Sequence, residues 1–351
     1  MNDNILPAAE NIRPGSVGRR SLSLTQESLV TVEPNRDGAG LPLVMRPSVD
    51  GLDLVSWALG NREFIQAQLL KHGGILFRNF NVFSPEAFEQ FVIAGSAELL
   101  SYKERSSPRT QISNNIYTST DYPADQSIFL HNENSYQHTW PLKIFFFCLT
   151  PAIQGGETPI ADCRKVLDRI DLKIRQRFIE KGWMLVRNFR DGLSLTWQSV
   201  FQTENKDAVE NYCRGAGIET EWRRGGLRTR QVRQAVSRHP VTGEMVWFNH
   251  AAFFHISTLE PSAQEVLLAG SGEEELPNNT YYGDGSPIEF SVLEEIREAY
   301  RREALSFSWQ EGDLLMLDNM LAAHGRNPYV GRRKILVAMA DPVGPVVATS
   351  P

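Results

Sequence analysis

The chain has 351 residues, of which 41% are hydrophobic, so it can bury a large core. Its net charge of −6 argues against general affinity for nucleic acid or for an anionic membrane, and it leaves small molecules and proteins as partners. Cys148, Cys163 and Cys213 lack the Cys-x-x-Cys spacing of a zinc site, so we expect free thiols. The apolar runs are too short for a signal peptide or a membrane span, and we therefore expect a cytoplasmic protein.

The first predicted elements follow an N-terminal arm. Residues 1–22 mix Asn, Pro, Gly, Ser and Arg without periodicity, and we expect this arm to be disordered. Residues 23–351 are predicted to form a single domain. Apolar residues at helical spacing predict a helix from Ser56 to His72, and a strand follows it at residues 75–80. Ser84-Pro85 then has the pattern of a helix start.

The middle and last parts of the chain contain further elements on either side of a long insertion, at residues 162–260. A strand is predicted just before it, at residues 144–149. Within it we predict a helix from Arg164 to Lys181, a strand at 184–186 and a helix at 206–216. Beyond it we predict helices at 262–269 and 291–303 and strands at 305–310, 314–318 and 332–339.

The tripeptide His131-Asn132-Glu133 is a candidate metal site. Side chains at positions i and i+2 of a strand point to the same face, so His131 and Glu133 can hold one metal while Asn132 faces away. His324, at the end of a buried strand much later in the chain, completes the set. Two imidazoles and one carboxylate leave positions open on an octahedral metal, as a non-haem Fe(II) oxygenase requires. A His-x-Glu triplet alone more often marks a surface histidine beside a solvated acid, so the prediction depends on the surrounding residues.

Those surroundings include Gly155-Gly156-Glu157-Thr158 and arginines beyond His324. With these motifs in this order, the chain resembles the taurine dioxygenase-like (TauD/TfdA) family of Fe(II)/2-oxoglutarate-dependent oxygenases over most of its length. The resemblance implies an α+β fold, a distorted double-stranded β-helix (jelly roll) with flanking helices and the insertion over the active site. It also implies Fe(II) as cofactor and 2-oxoglutarate and O₂ as co-substrates.

The resemblance also implies how 2-oxoglutarate is bound. Thr158 follows Glu133 by 158 − 133 = 25 residues, about the family interval, and is expected to help bind the co-substrate. Arg333, 333 − 324 = 9 residues after the distal histidine, is the best candidate for binding the far carboxylate. An arginine beside an apolar strand either reaches solvent or pairs with a buried anion, and its planar guanidinium suits a carboxylate. Arg326 and Arg332 stay open as alternatives.

Two positions bear on the type of reaction and on the substrate. Related halogenases carry Gly or Ala in place of the metal carboxylate, so Glu133 favours hydroxylation over halogenation. Desaturation would use the same residues and stays open. Family members that act on sulfonates often have an arginine four residues beyond the 2-oxoglutarate arginine, and Val337 at that position argues against taurine as substrate.

A closer resemblance implies the substrate class. The string from His131 to Tyr136, with Trp247 to His250, is similar to the branch that contains the aspartyl hydroxylase of syringomycin biosynthesis. It implies β-hydroxylation of an amino acid, held as a thioester on an acidic peptidyl carrier protein, in peptide natural-product biosynthesis. Asn134, Tyr136 and His250 are candidate substrate contacts. A free amino acid or small organic acid is the alternative substrate, and a catalytically silent binding protein on the same fold is the rival from another class.

The segment from Arg223 to Arg233 concentrates positive charge around a predicted hairpin turn in an otherwise acidic chain. It is either a solvated hairpin or a docking surface for the acidic carrier protein.

Overall fold

The computed structural model describes residues 29–33, 40–100, 104, 109–113, 115–119, 122–190 and 194–344. The predicted disordered arm, residues 1–22, lies outside this part of the chain. Within it, no helix combines the length and apolarity needed to cross a membrane. Cys148, Cys163 and Cys213 are buried and free, as expected.

The strands pair mainly antiparallel, with one parallel pair near the N-terminus. In chain order they are β1 (Val30–Glu33), β2 (Leu43–Pro47), β3 (Gly74–Phe77), β4 (Gln111–Ser113), β5 (Ile116–Thr118), β6 (Ile128–His131), β7 (Trp140–Thr150), β8 (Gln154–Gly155), β9 (Ile160–Asp162), β10 (Trp183–Arg190), β11 (Ile218–Arg223), β12 (Gly226–Arg233), β13 (Val236–Arg238), β14 (Met245–Trp247), β15 (Asn278–Tyr282), β16 (Leu314–Asp318), β17 (Ala322–Arg326), β18 (Tyr329–Val330) and β19 (Lys334–Val343).

The helices flank these strands. In chain order they are α1 (Leu54–Gly60), α2 (Arg62–His72), α3 (Pro85–Gly95), α4 (Cys163–Arg169), α5 (Leu172–Lys181), α6 (Trp197–Phe201), α7 (Lys206–Gly215), α8 (Pro261–Ser271) and α9 (Phe290–Glu303), with short 3₁₀ turns at Ile256–Thr258 and Glu273–Glu275.

An eight-stranded sheet, in the order β1-β2-β3-β16-β7-β19-β5-β4, is the base of the fold. Its central strand β7 is buried on both faces, and successive side chains of a strand point to opposite faces. Phe145 and Phe147 accordingly pack with the core beneath α1, α2 and α3. Ile144 and Phe146 pack on the other face, with Ile160 of the three-stranded sheet β6-β17-β9. The large sheet thus has helices on one side and the second sheet on the other.

A four-stranded sheet, in the order β11-β12-β10-β15, lies mostly within the predicted insertion at residues 162–260. Strands β11 and β12 pair with Arg223 opposite Gly226, which confirms the predicted hairpin turn. The sheet shares a core with the helices around it, where Phe178 contacts Trp247 edge to face at 5.2 Å between ring centroids. The division of the chain into arm, single domain and insertion stays a prediction.

The two longest helix predictions are wrong, because the structure has two helices in place of each one. The helix expected from Ser56 to His72 is two helices, because the Asn61 side chain donates to the Trp57 carbonyl at 2.7 Å between α1 and α2. The helix expected from Arg164 to Lys181 is also two, because Asp171 accepts a hydrogen bond from the backbone N–H of Lys173 at 2.8 Å and starts α5. Short polar side chains offer the backbone such alternatives to a continuous helix.

The strand predicted at residues 305–310 is also wrong. Leu305 makes an isolated β-bridge with Ile160, but the following residues form no strand. Their polar groups bond to side chains instead: the carbonyl of Ser308 accepts from Arg78 at 2.8 Å, and the Trp309 indole N–H donates to Thr158 at 3.1 Å. This segment therefore supports the candidate site rather than extending a sheet.

Candidate active site

Two histidines face each other across neighbouring strands. His131 ends β6 and His324 lies in β17, and the two residues are direct partners in the antiparallel register. Their ring centroids are 4.5 Å apart. Directly opposite residues of an antiparallel pair project to the same face, so strand pairing alone joins side chains that are 324 − 131 = 193 positions apart.

Glu133 completes the predicted set of three. Strand β6 ends at His131, so Glu133 is held in the following turn and not on the strand itself. Its Oε2 lies 3.8 Å from Nε2 of His324. One ligand atom each from His131, Glu133 and His324 can be chosen so that all three lie within 4.8 Å of one another, which suits a single bound ion.

Asn319 clamps the backbone of this turn. Its side-chain oxygen accepts from the N–H of Glu133 at 2.7 Å, and its amide nitrogen donates to the Glu133 carbonyl at 2.8 Å. The same nitrogen donates to the Pro141 carbonyl at 2.9 Å, and the Asn319 carbonyl accepts from the Asn132 side chain at 2.7 Å. Sequence analysis assigned Asn319 no role, although a polar residue directly after the buried strand β16 is a signal that was available.

The donor set fits Fe(II). Nδ1 of His131 is 2.8 Å from the Phe129 carbonyl, so Nδ1 carries the proton and Nε2 is left for a metal. Burial lowers the pKa of both His131 and His324, which keeps their rings in the neutral form that metal binding requires. Nδ1 of His324 is buried and has no hydrogen-bond partner among the described residues.

Arg109 is a further residue that sequence analysis missed. Its Nη2 donates to both carboxylate oxygens of Glu133, at 3.0 and 2.8 Å, and its side chain is only 6% exposed. The guanidinium compensates a negative charge that would be costly to bury alone. No motif surrounds Arg109, so the sequence offered no signal for it.

A small cavity of about 40 Å³ beside His324 is lined by both predicted 2-oxoglutarate contacts, Thr158 and Arg333. Arg333 lies just before β19, and its Nε donates to the Gly156 carbonyl at 2.9 Å. Burial, reinforced by the positive charge of Arg326, lowers the pKa of Arg333 to about 10. A Cβ at position 156 would lie 3.0 Å from Cδ of Arg333. Because glycine has no Cβ, the Arg333 side chain has space to pack against this position.

The two alternative arginines are placed differently. Arg326 lines the same cavity, but it donates to the backbone carbonyls of Tyr122, Pro123 and Gln126. Arg332 is exposed. Arg326 and Arg333 both line the cavity, but Arg326 donates hydrogen bonds to three backbone carbonyls and Arg333 donates to the Gly156 carbonyl. Arg333 is therefore the better placed of the candidates to bind a carboxylate.

A larger cavity of about 600 Å³ is lined by two of the predicted ligands, His131 and Glu133, and has aromatic walls that include Phe253 and Phe254. Two predicted substrate contacts, Asn134 and His250, line it. Burial lowers the pKa of His250 well below its usual value, so its ring is neutral at physiological pH. The third predicted contact, Tyr136, packs edge-on behind His250 at 5.3 Å between ring centroids and does not line this cavity.

The predicted basic docking surface is only partly present. Arg228 is 5% exposed and donates to the Glu274 carbonyl at 2.6 Å, and Arg233 donates to the carbonyls of Tyr136 and Ala216. These two arginines are therefore structural. The docking role predicted for the segment from 223 to 233 stays a prediction, and Arg228 and Arg233 are not free to contribute to it, because backbone carbonyls bind their guanidinium groups.

The family model described as "Taurine catabolism dioxygenase TauD, TfdA family" matches residues 38–339. The dapdiamide synthesis protein DdaC of Enterobacter agglomerans is 43% identical over 284 residues, which cover 81% of this chain and 86% of DdaC. A clavaminate synthase-like protein of Arabidopsis thaliana is 28% identical over 293 residues, covering 79% of this chain and 84% of that protein. The family resemblance in the sequence is thereby confirmed.

Solved structures confirm the expected fold. The crystal structure of PvcB from Pseudomonas aeruginosa superimposes with a TM-score of 0.54 at 15% identity, covering 91% of this chain and 93% of PvcB. Another PvcB structure, described as that of an Fe, alpha-ketoglutarate dependent oxygenase from an isonitrile synthetic pathway, gives a TM-score of 0.51 at 13% identity, with 88% and 90% coverage. The closer resemblance to the branch of the syringomycin hydroxylase stays a prediction.

We predict that Asn319→Asp weakens divalent metal binding by about 10- to 100-fold, a typical effect of losing a residue that orients metal ligands. The substitution keeps the side-chain shape but replaces the nitrogen that donates to Glu133 and Pro141. Metal affinity can be measured by titration with Fe(II) under anaerobic conditions.

A matched control separates this effect from general destabilisation. Phe88→Leu removes buried volume from the helix side of the large sheet, where Phe88 stacks on Phe147. It should lower the thermal midpoint but leave metal affinity unchanged. Wild-type metal affinity in Asn319→Asp would contradict the clamp role.

Proposed function

The chain belongs to the TauD/TfdA family and is an Fe(II)- and 2-oxoglutarate-dependent dioxygenase, and from this premise we propose that it hydroxylates an amino acid carried on a peptidyl carrier protein. The proposed position is the β-carbon, and the proposed context is peptide natural-product biosynthesis in the cytoplasm. The observation that carries the proposal is the 43% identity to a dapdiamide synthesis protein over most of both chains.

We assign the metal to His131, Glu133 and His324, and the 2-oxoglutarate tail to Thr158 and Arg333. When bound, the iron with 2-oxoglutarate and O₂ supplies the oxidising power for an unactivated C–H bond. The residues of the chain contribute position: Asn319 fixes the Glu133 turn, and Gly156 leaves room for Arg333. Holding reacting groups in a fixed geometry is the main contribution that a protein makes to cofactor chemistry.

The larger cavity supports the substrate class. Phe253 and Phe254 give it aromatic walls beside His131 and Glu133, which favours exclusion of water from a reactive centre. His250 and Asn134 add polar groups for orienting an amino acid, and the hydroxyl of Ser135 holds the His250 ring through Nδ1. Its volume of about 600 Å³ is within the usual range for ligand sites and leaves room for more than a small free amino acid.

We predict that wild-type protein binds one Fe(II) per chain and that His324→Ala loses both the metal and turnover, because it removes one of three ligands. Iron content after gel filtration and succinate formation are the two measurements. His138→Ala is the control, since His138 is exposed and lines neither the cavity beside His324 nor the larger cavity. Glu133→Ala should lose hydroxylation even if some metal still binds. Near-normal activity of His324→Ala would remove the metal assignment.

A second prediction concerns 2-oxoglutarate. Arg333→Ala should raise the KM for 2-oxoglutarate at least about tenfold, because a charged hydrogen bond contributes about 1.5–3 kcal/mol. Gly156→Ala should shift it in the same direction by displacing Arg333, and Thr158→Ala should have a smaller effect. Arg332→Ala is the control, because Arg332 is the neighbouring residue and is exposed. An unchanged KM in Arg333→Ala would contradict its role and transfer the assignment to Arg326, or to Arg332 if the Arg332→Ala control is the variant that raises the KM.

A third prediction separates the tethered from the free substrate. The same amino acid is offered free and as a thioester on its carrier protein, and products are followed by intact-protein mass spectrometry. We expect the tethered form to gain one oxygen atom. Efficient turnover of the free amino acid with none of the tethered form would contradict the carrier proposal and favour the free-substrate alternative. Loss of two hydrogen atoms without gain of oxygen would identify a desaturase.

A further inference from the structure

An arginine-lined cleft lies at the tip of the β11–β12 hairpin. Arg190 ends β10 and Arg223 ends β11, and both residues pair with Gly226 at the start of β12. Together with Arg224 in the turn they line a cleft of about 300 Å³. The cleft gathers three guanidinium groups in a chain whose net charge is −6.

One carboxylate organises this cleft. Glu275 accepts from Arg190 at 2.6 Å through one oxygen and from Arg223 at 2.7 Å through the other. It thereby holds two guanidinium groups side by side and offsets only part of their charge. Arg224 is exposed at the mouth of the cleft. Glu221 also accepts from Nε of Arg223 at 2.9 Å, so three arginines face two glutamates and one positive charge remains in excess, which suits a phosphate group.

A third cavity, called the passage below, has lining residues in common with both the arginine-lined cleft and the larger cavity. This passage, of about 200 Å³, shares Asn188 with the arginine-lined cleft. It shares Phe254, Pro277 and Asn278 with the larger cavity, which His131 and Glu133 line. The three cavities are therefore neighbours in a row from the hairpin tip to two of the predicted metal ligands.

We propose that the arginine-lined cleft binds the phosphodiester of a 4′-phosphopantetheine arm, whose thioester end reaches the larger cavity through the passage. This inference rests on the proposed function and names the entry site of its substrate. The arm has a phosphate, then an uncharged chain with two amides, then sulfur. That order matches a cationic cleft, a passage whose lining is mainly apolar and amide side chains with Ser194 and Arg187, and a cavity lined by His131 and Glu133.

The binding test uses two compounds that differ only in the phosphate, 4′-phosphopantetheine and pantetheine, titrated calorimetrically into the protein. We expect the wild type to bind the phosphorylated compound at least about tenfold more tightly, because charge-assisted hydrogen bonds to phosphate are strong. Arg224→Glu should abolish this preference. Arg230→Glu is the matched control, since Arg230 lies on the same hairpin but does not line the cleft. Equal or undetectable binding of both compounds by the wild type, or a preference retained in Arg224→Glu, would overturn the inference.

Turnover distinguishes this inference from the proposed function. Arg224→Glu should raise the KM for the carrier-bound amino acid at least about tenfold. It should not alter turnover of a short thioester of the same amino acid that lacks the arm. If the wild type hydroxylates the carrier-bound substrate and Arg224→Glu does so equally well, the cleft assignment fails and the proposed function stands. If an aminoacyl-coenzyme A is hydroxylated as efficiently as the carrier-bound form, the phosphate site stands, but the phosphate that it binds belongs to coenzyme A.

Discussion

The candidate site depends on hydrogen bonds between one asparagine side chain and the backbone of one turn. Asn319 accepts from the N–H of Glu133 and donates to its carbonyl, so the turn is held from both sides. Because Asn319 follows β16 directly and is fully buried, its position is set by the centre of the large sheet. The carboxylate thus takes its place from a sheet that contains none of the three predicted ligands.

The candidate metal ligands could be predicted from the sequence because they lie in short motifs. His131, Glu133 and His324 could be grouped because their ligand types and spacing suit a single metal, and the structure brings them together. The fold class followed from the family resemblance that these motifs carry. The Gly-Gly-x-Thr motif and Arg333 were named as separate features, and only the structure shows that Gly156 leaves the space that Arg333 fills.

Other features depended on contacts that no local pattern contains. Arg109 reaches Glu133 from a segment with no motif, and its role follows from burial of an opposite charge. Asn61 and Asp171 interrupt helices whose apolar spacing is unbroken, because their side chains bond to nearby backbone groups. The basic segment is a similar case: the sequence shows its charges, but only the structure shows that backbone carbonyls bind Arg228 and Arg233 while Arg224 stays exposed.

The strand register that pairs His131 with His324 limits which insertions and deletions the site can tolerate. A shift of one residue in β6 or β17 would turn one imidazole to the opposite face, so single insertions or deletions within these two strands should be lethal to activity. The stretch between α4 and α9 is under no such constraint, since none of its strands pairs with β6 or β17. Lineages can therefore lengthen, shorten or exchange this stretch, and with it the substrate walls, while the histidine pair is inherited intact.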